Sequence, residues 1–429
     1  MIRSLKSFAV NKLRFNPYYQ SQVKEVLAQK EWTGEELAAQ QNERFMSVLR
    51  RVVRSSPFYQ RRYAEHGVSL SSIQSVEDIG RLPVITKEDV RNYRDEIYTG
   101  PRWIKATGHT SGTSGTPLIV YRDYPSTVKE GAYLWAHRAL FGFFPGMKMI
   151  SLRGNLDRSE MRYFDRHANC LNLSSFNLRE EHATWYYEQI QQFQPYAIAA
   201  YPSSVEILAN FFREKNLTLH VPYIFTSSEQ VYEHQRAKVE QVFNTTIVDW
   251  YGNAERSIAL EQRTDGHYYE LPLYSINEYQ AERVVTTGLL SRTFPLIRYQ
   301  VDDVIIPGNR PQQIEAIVGR HDDVLLLPDG TRIGRIGAIF SDVKGLELAQ
   351  IHQQERERFT IHLVVNQFYS RQSEEMIRSA LRSKAGDQLT YDLVYVQDND
   401  IQRTSAGKFK LVVSKLPQYQ SNEPASRIS

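Results

Sequence analysis

The sequence predicts an α/β fold in two parts: a large N-terminal α/β domain carrying a β-rich subdomain, then a small C-terminal α+β domain. Three observations predict it. From about Lys148, short apolar runs alternate with amphipathic segments ("KMISLRG", "EEHATWYYEQIQQF", "YAIAAYP", "SVEILANFFREKN", "PYIFTS", "HQRAKVEQVF", "TTIVDWYG"), which is the alternation of a sheet with crossover helices. The text then turns β-rich, in "ERVVTTGLL", "PLIRYQVDDVIIPG" and "IEAIVGRHDDVLLLPDGTRIG", with "PDG" marking a hairpin. Finally "LELAQIHQQ", "RFTIHLVVN", "SEEMIRSALRSKAG" and "LTYDLVYVQ" follow a ββαβ pattern. The charged "GRHDD" (319–323) interrupts two apolar runs, which sets the domains at 1–320 and 323–429; the interruption alone does not make a hinge.

At the N-terminal end, Ile2, Leu5, Ala9 and Leu13 share one helical face beside Arg3, Lys6, Lys12 and Arg14. Such a helix suits docking on the protein's own body, with peripheral membrane contact as the alternative. The stretch lacks the apolar core of a signal peptide, and nowhere do about 18 consecutive apolar residues occur to span a bilayer. With 41% hydrophobic and 24% charged positions, 429 residues suffice for two or more cores. The formal charge of +3 is spread along the chain and leaves no footprint for a nucleic acid. The single cysteine, Cys170, excludes a disulfide framework or a cysteine-rich zinc site and points to the reducing cytoplasm.

The chemistry begins at "GHTSGTSGTPLIVY", Gly108 to Tyr121. Three glycines and five hydroxyls ahead of a strand suit a loop that holds an anion, since glycine lets backbone amides turn inward and hydroxyls add donors. A flexible surface loop has the same composition. No lysine follows Gly115, as the common nucleotide-hydrolase loop requires, and the glycine spacing does not fit the dinucleotide fingerprint.

Further stretches follow in fixed order: "FTSSEQV" (225–231), "DWYGNAERS" (249–257), "RYQVDD" (298–303), "GRHDD" (319–323) and "RTSAGKFK" (403–410). The series resembles the adenylate-forming, AMP-binding superfamily of acyl-CoA synthetases, adenylation domains and luciferases. It is most similar to the phenylacetate–CoA ligases and the adenylating proteins of capsular-polysaccharide gene clusters. "SSPFYQRRYAEHGVSLSSIQSVEDIGRLPVITKEDVRNY" (55–93) is characteristic of that branch, so the resemblance covers most of the chain.

The resemblance implies roles. Thr110, Ser111, Gly112, Thr113, Ser114 and Gly115 would hold the phosphates of ATP; Thr116 replaces the lysine usual in the wider superfamily, so positive charge must come from elsewhere. Glu255 would meet Mg²⁺, which takes oxygen ligands and needs few carboxylates; a solvated Glu paired with Arg256 is the plain alternative. Ser228, Glu229, Tyr251 and Gly252 match the adenine-binding surface, although Tyr251 reads equally as a core tyrosine. Asp303 matches the residue that accepts from both ribose hydroxyls, with Asp302 as its rival. Arg320 would contact the nucleotide, Asp322 would be the hinge, and Lys408 would reach the active site when the domains close. Family position suggests Tyr133, Trp135, Tyr201 and Ser203 for the acyl pocket, where aromatic stripes also suit a core.

The implied reaction is attack of a small-molecule carboxylate on the α-phosphorus of ATP, giving an acyl-adenylate and pyrophosphate. A thiol, with coenzyme A the usual one, or an amine then accepts the acyl group. The alternatives are a catalytically silent nucleotide-binding protein and an amide-forming transferase of surface-polysaccharide decoration. A cytoplasmic monomer or homodimer without a zinc site is expected.

Overall fold

The computed structural model describes residues 16–416 except 102–105, 110–117, 155, 157–158, 281–282, 302, 321–324, 327–331, 334–338, 341–342, 386–389, 404–410 and 415. The first helices form where caps and apolar faces agree. Helix α1 (Pro17–Ala28) starts at Asn16, whose side chain accepts from the Tyr19 N–H. Helices α2 (Gly34–Ser55) and α4 (Lys87–Ile97) open on capping boxes, Thr33/Glu36 and Thr86/Asp89, with the short α3 (Pro57–Glu65) between them. Their buried faces, including Phe45, Val52, Phe58, Tyr59 and Val90, form one core with residues of the later β-rich region.

The hairpin β1 (Ala106–His109) and β2 (Ile119–Arg122) leads into α5 (Tyr124–Ala139). The alternating region then delivers β3 (Met149–Arg153), β4 (Arg162–Asp165), β5 (Cys170–Ser174), α6 (Ala183–Phe193), β6 (Ala197–Ala200), α7 (Pro202–Glu214), β7 (Tyr223–Ser227), α8 (Glu233–Phe243) and β8 (Thr246–Gly252). Next come β9 (Ala259–Gln262), β10 (Tyr268–Glu270), β11 (Ser275–Gln280), β12 (Arg283–Gly288), β13 (Tyr299–Val301), β14 (Asp303–Pro307) and β15 (Gln313–Arg320).

A ten-stranded sheet has the order β14-β15-β10-β9-β8-β7-β6-β3-β5-β4, in which β8, β7, β6, β3 and β5 run parallel. Ile150, Leu152, Ile198, Ala200, Ile224 and Ile247 turn one face of it toward apolar residues of α6, α7 and α8. Helix α5 and the segment after it cover the other face, with Phe141 and Phe143 against Ala197, Phe225 and Val248. The strands buried on both faces are accordingly apolar throughout, as "AIAA" of β6 shows. Strands β11, β12 and β13 form a separate sheet.

The remaining residues build a smaller lobe. Strands β16 (Leu325–Leu326) and β17 (Arg332–Ile333) pair antiparallel; the "PDG" turn that the sequence predicts lies between them, outside the described residues. Strands β18 (Leu346–Gln353), β19 (Arg358–Val365), β20 (Thr390–Tyr395) and β21 (Val412–Ser414) form a sheet in the order β20-β19-β18-β21, and α9 (Arg371–Ala385) packs Ile377 and Leu381 into its core. The predicted fold class, a large α/β part followed by a small α+β part, is what the chain adopts. Leu348, Val364 and Ile401 join the small lobe to the large lobe's core. Among the described residues no helix is long and apolar enough to cross a membrane.

Candidate active site

Strand β8 runs out at Tyr251–Gly252, where the Gly252 position has room for little: a Cβ there would lie 3.2 Å from Trp250 Nε1. The turn that follows is closed by Asn253, whose Oδ1 accepts from the Ser257 N–H at 3.0 Å and whose Nδ2 donates to Ser257 Oγ at 2.7 Å. Arg256 takes a left-handed φ of 57° and donates to Thr127 Oγ1 on α5 at 3.0 Å. This turn carries Glu255, and Tyr299 of β13 donates its hydroxyl to Glu255 Oε1 at 3.0 Å.

The hairpin β1–β2 is fastened to the same turn, because Arg122 Nη2 donates to the Ala254 carbonyl at 2.7 Å. Glycine at 108 makes this possible: a Cβ there would stand 2.3 Å from Arg122 Nε. Burial and the neighbouring Arg256 charge hold the Arg122 guanidinium below its ordinary pKa. The strands that flank the glycine-rich stretch are thus anchored beside Glu255. Thr110, Ser111, Gly112, Thr113, Ser114 and Gly115 themselves lie outside the described residues, as do Asp302, Asp322 and Lys408.

Asp303 opens β14 and is 8% exposed. Its Oδ2 accepts from the Tyr251 hydroxyl at 2.5 Å, and in the β14–β15 ladder its backbone pairs with Arg320. Tyr251, Asp303 and Arg320, some 70 residues apart in sequence, therefore meet at one edge. Ser228, directly after β7, has a φ of 76°, and Glu229 beyond it accepts from the Ser203 N–H at 3.0 Å. Glu229 supplies the cap that α7 lacks, since Tyr201 at the N-cap offers no side-chain bond. Tyr201 and Ser203 so join the edge, both buried.

Tyr133 and Trp135 do not. Tyr133 is 2% exposed, donates to Gln29 Oε1 at 3.1 Å and packs edge-on against Tyr274; burial pushes its hydroxyl up to about 12. Trp135 stacks on Phe143 with centroids 5.5 Å apart. Beneath the edge, buried Asp249 ties three strands: it accepts from Thr226 Oγ1 at 2.6 Å and Tyr268 OH at 2.7 Å, while its N–H donates to Gln262 Oε1. Desolvation raises its pKa. Arg122, Asn253 and Tyr299 escape sequence reading. Only Arg122 carries a signal, as a charge closing an apolar run just after a glycine-rich stretch.

The CapK C-terminal domain family matches residues 325–415, within the small lobe. Over 96% of both chains the protein is 23% identical to the protein CapK of Staphylococcus aureus. It is 26% identical to the phenylacetate–coenzyme A ligase of Thermus thermophilus over 68% of this chain and 72% of that one. Among solved structures, 2-hydroxyisobutyryl-CoA ligase, in the postadenylation state with 2-HIB-AMP, superposes with a TM-score of 0.67 at 18% identity, over 88% of this chain and 89% of the other. The chain is a homologue of CapK and the phenylacetate–coenzyme A ligases, with the fold of the adenylate-forming superfamily.

Proposed function

We propose that the protein activates a carboxylic acid with ATP, releasing pyrophosphate, and passes the acyl group from the adenylate to a thiol such as coenzyme A or to an amine. One observation carries this reading. The Tyr251–Asp303 bond, the Tyr299–Glu255 bond and the anchored base of the glycine-rich hairpin converge at the carboxyl end of β8 in the ten-stranded sheet.

In this reading Asp303, held by Tyr251, accepts from the ribose hydroxyls, and Ser228, Gly252 and Arg320 complete the nucleotide surface. The hydroxyls and amides of 110–115 take the phosphates. Arg122 and Arg256 supply the cationic field that Thr116 does not. Glu255, oriented by Tyr299, fits a magnesium ion, which asks for oxygen ligands and few carboxylates; when bound, it would neutralise phosphate charge. The substrate carboxylate oxygen attacks the α-phosphorus and pyrophosphate leaves, so the protein needs no nucleophile of its own. Lys408 stabilises the charge that grows on the α-phosphate, brought in by the small lobe rotating about Asp322 between lobes 1–320 and 323–429. The requirement for ATP puts the reaction in the cytoplasm.

The test is ATP–pyrophosphate exchange over a panel of acids, with hydroxamate trapping of the adenylate. Lys408→Ala should lower exchange by about 10²–10³-fold, the loss of one transition-state charge. Exchange at the wild-type rate in that variant refutes the role. ATP binding without turnover for any acid would favour the silent nucleotide-binding alternative.

A further inference from the structure

Strands β6, β7 and β8 extend from β3 to one side and β5 and β4 to the other, so strand order reverses between β3 and β6. The crevice at the carboxyl ends of such a pair is where open α/β sheets take ligands. Arg153 is the last residue of β3, and its guanidinium carbon stands 6.0 Å from the ring centre of Tyr201, which follows β6. Its Nε is buried with no acceptor.

A second cation backs it. Arg138, in the last turn of α5, is 6% exposed and lies 5.2 Å from the ring centre of Phe225 on β7 and 5.7 Å from that of Trp135. Among the described residues its only polar contact is Met149 Sδ at 3.8 Å, and its Nε too has no acceptor there. Burial first, and the Arg153 charge after it, pull the Arg138 pKa down to about 10. Among the described residues no carboxylate pairs with either guanidinium; Asp249, whose charge acts on Arg153, is engaged by Thr226 and Tyr268.

Burying one cation without a counter-ion is costly, a second beside it adds repulsion, and a packed apolar residue would serve stability better. A bound oxyanion removes the cost, and a guanidinium matches a carboxylate with two parallel bonds. We propose that the β3–β6 crevice is the distal end of the acyl pocket and that Arg153, backed by Arg138, binds a second carboxylate on the substrate acid. The protein then activates dicarboxylic acids in preference to plain aryl or alkyl monoacids. This rests on the adenylation reading above.

Paired acids test it: phenylacetate against 4-carboxyphenylacetate and butyrate against glutarate, by ATP–pyrophosphate exchange and by the thermal shift each acid produces without ATP. Wild type should favour the second member of each pair. Arg153→Met should lower that preference by about a hundredfold, the loss expected when one partner of a buried ion pair is removed, with Arg153→Lys between. Without ligand, Arg153→Met should melt higher than wild type, which also shows that it folds. Exchange confined to monoacids, with the same preference in both variants, overturns the proposal and leaves adenylation standing. A thermal shift by dicarboxylates that requires Arg153, with no exchange for any acid, supports the anion site and overturns adenylation.

Discussion

Tyr251 and Asp303 stand 52 positions apart and share a 2.5 Å hydrogen bond at the sheet edge. A carboxylate acceptor makes that bond worth more than a neutral one, on the order of 1.5–3 kcal/mol. Tyr251→Phe keeps the ring and removes only the donor, leaving Asp303 with one oxygen to reorient. If Asp303 holds the ribose, ATP binding should weaken by about tenfold to a hundredfold, as that bond energy implies, while kcat at saturating ATP stays near wild type. Calorimetric titration of ATP reads the first quantity and pyrophosphate exchange the second. Unchanged ATP affinity would remove Asp303 from the nucleotide site. The same scale shows what a motif conveys and what it omits. "DWYGNAERS" marks Tyr251, Gly252 and Glu255 as candidates, but nothing in it announces that Tyr299 will orient Glu255 or that Arg122 will grip the Ala254 carbonyl. Those bonds depend on the pairing of distant segments. Arg153 and Arg138 were illegible for a like reason: a charge inside an apolar run reads as surface until the strand order puts it beside a crevice.

At the scale of elements, local rules decided much. The capping boxes of α2 and α4 and the apolar β6, β7 and β8 follow from short-range pattern, and the helices α6, α7 and α8 occupy the predicted amphipathic segments. One stretch of the β-rich text holds more than its pattern conveys: "PLIRYQVDDVIIPG" divides into β13 and β14 in different sheets, with Arg298 at a left-handed φ of 49° just before. A period-two pattern does not record which sheet a strand joins. Helix α5 illustrates how an element is fixed to the site. Asp123 caps it by accepting from the Ser126 N–H at 2.6 Å, and its second oxygen accepts from the Thr293 hydroxyl at 2.7 Å and N–H at 3.2 Å. Asp123→Ala removes the cap and strands two donors at a buried site, a loss of about 2–4 kcal/mol. Asp123→Asn, which keeps an acceptor toward Ser126, should recover roughly half of it. Urea unfolding of the two variants measures this; equal midpoints for Asp123→Ala and wild type would mean that packing alone seats the helix.

Between the lobes runs a cleft of about 730 Å³ whose walls include Glu206, Asn210, Lys238, Lys344 and Phe368. Beside it Asn366 of the small lobe donates to Glu214 at the end of α7. Glu347, from the foot of β18, faces Glu214, and Glu180 and Asp398 add their charges. Desolvation first, then Glu214 and the weaker Glu180 and Asp398 charges, raises the Glu347 carboxyl above the ordinary glutamate value, and desolvation with Glu180, against Arg213 and Lys215, raises that of Glu214. The docked arrangement therefore binds protons more tightly than separated lobes would. Its carboxyl contribution is complete below the ordinary value of 4.5 and declines as pH climbs through the raised values, so alkalinity loosens this contact and acidity tightens it. Small-angle scattering from pH 5 to 8, with circular dichroism to confirm that the fold is intact, should record a radius of gyration that grows with pH. Glu347→Gln, which removes the charge and keeps the shape, should flatten that growth. A radius independent of pH in both proteins would mean that the apolar contacts of Leu348, Val364 and Ile401 alone set the docking. The lobe that carries Lys408 would then be held in this arrangement by packing, and only bound ligand could release it.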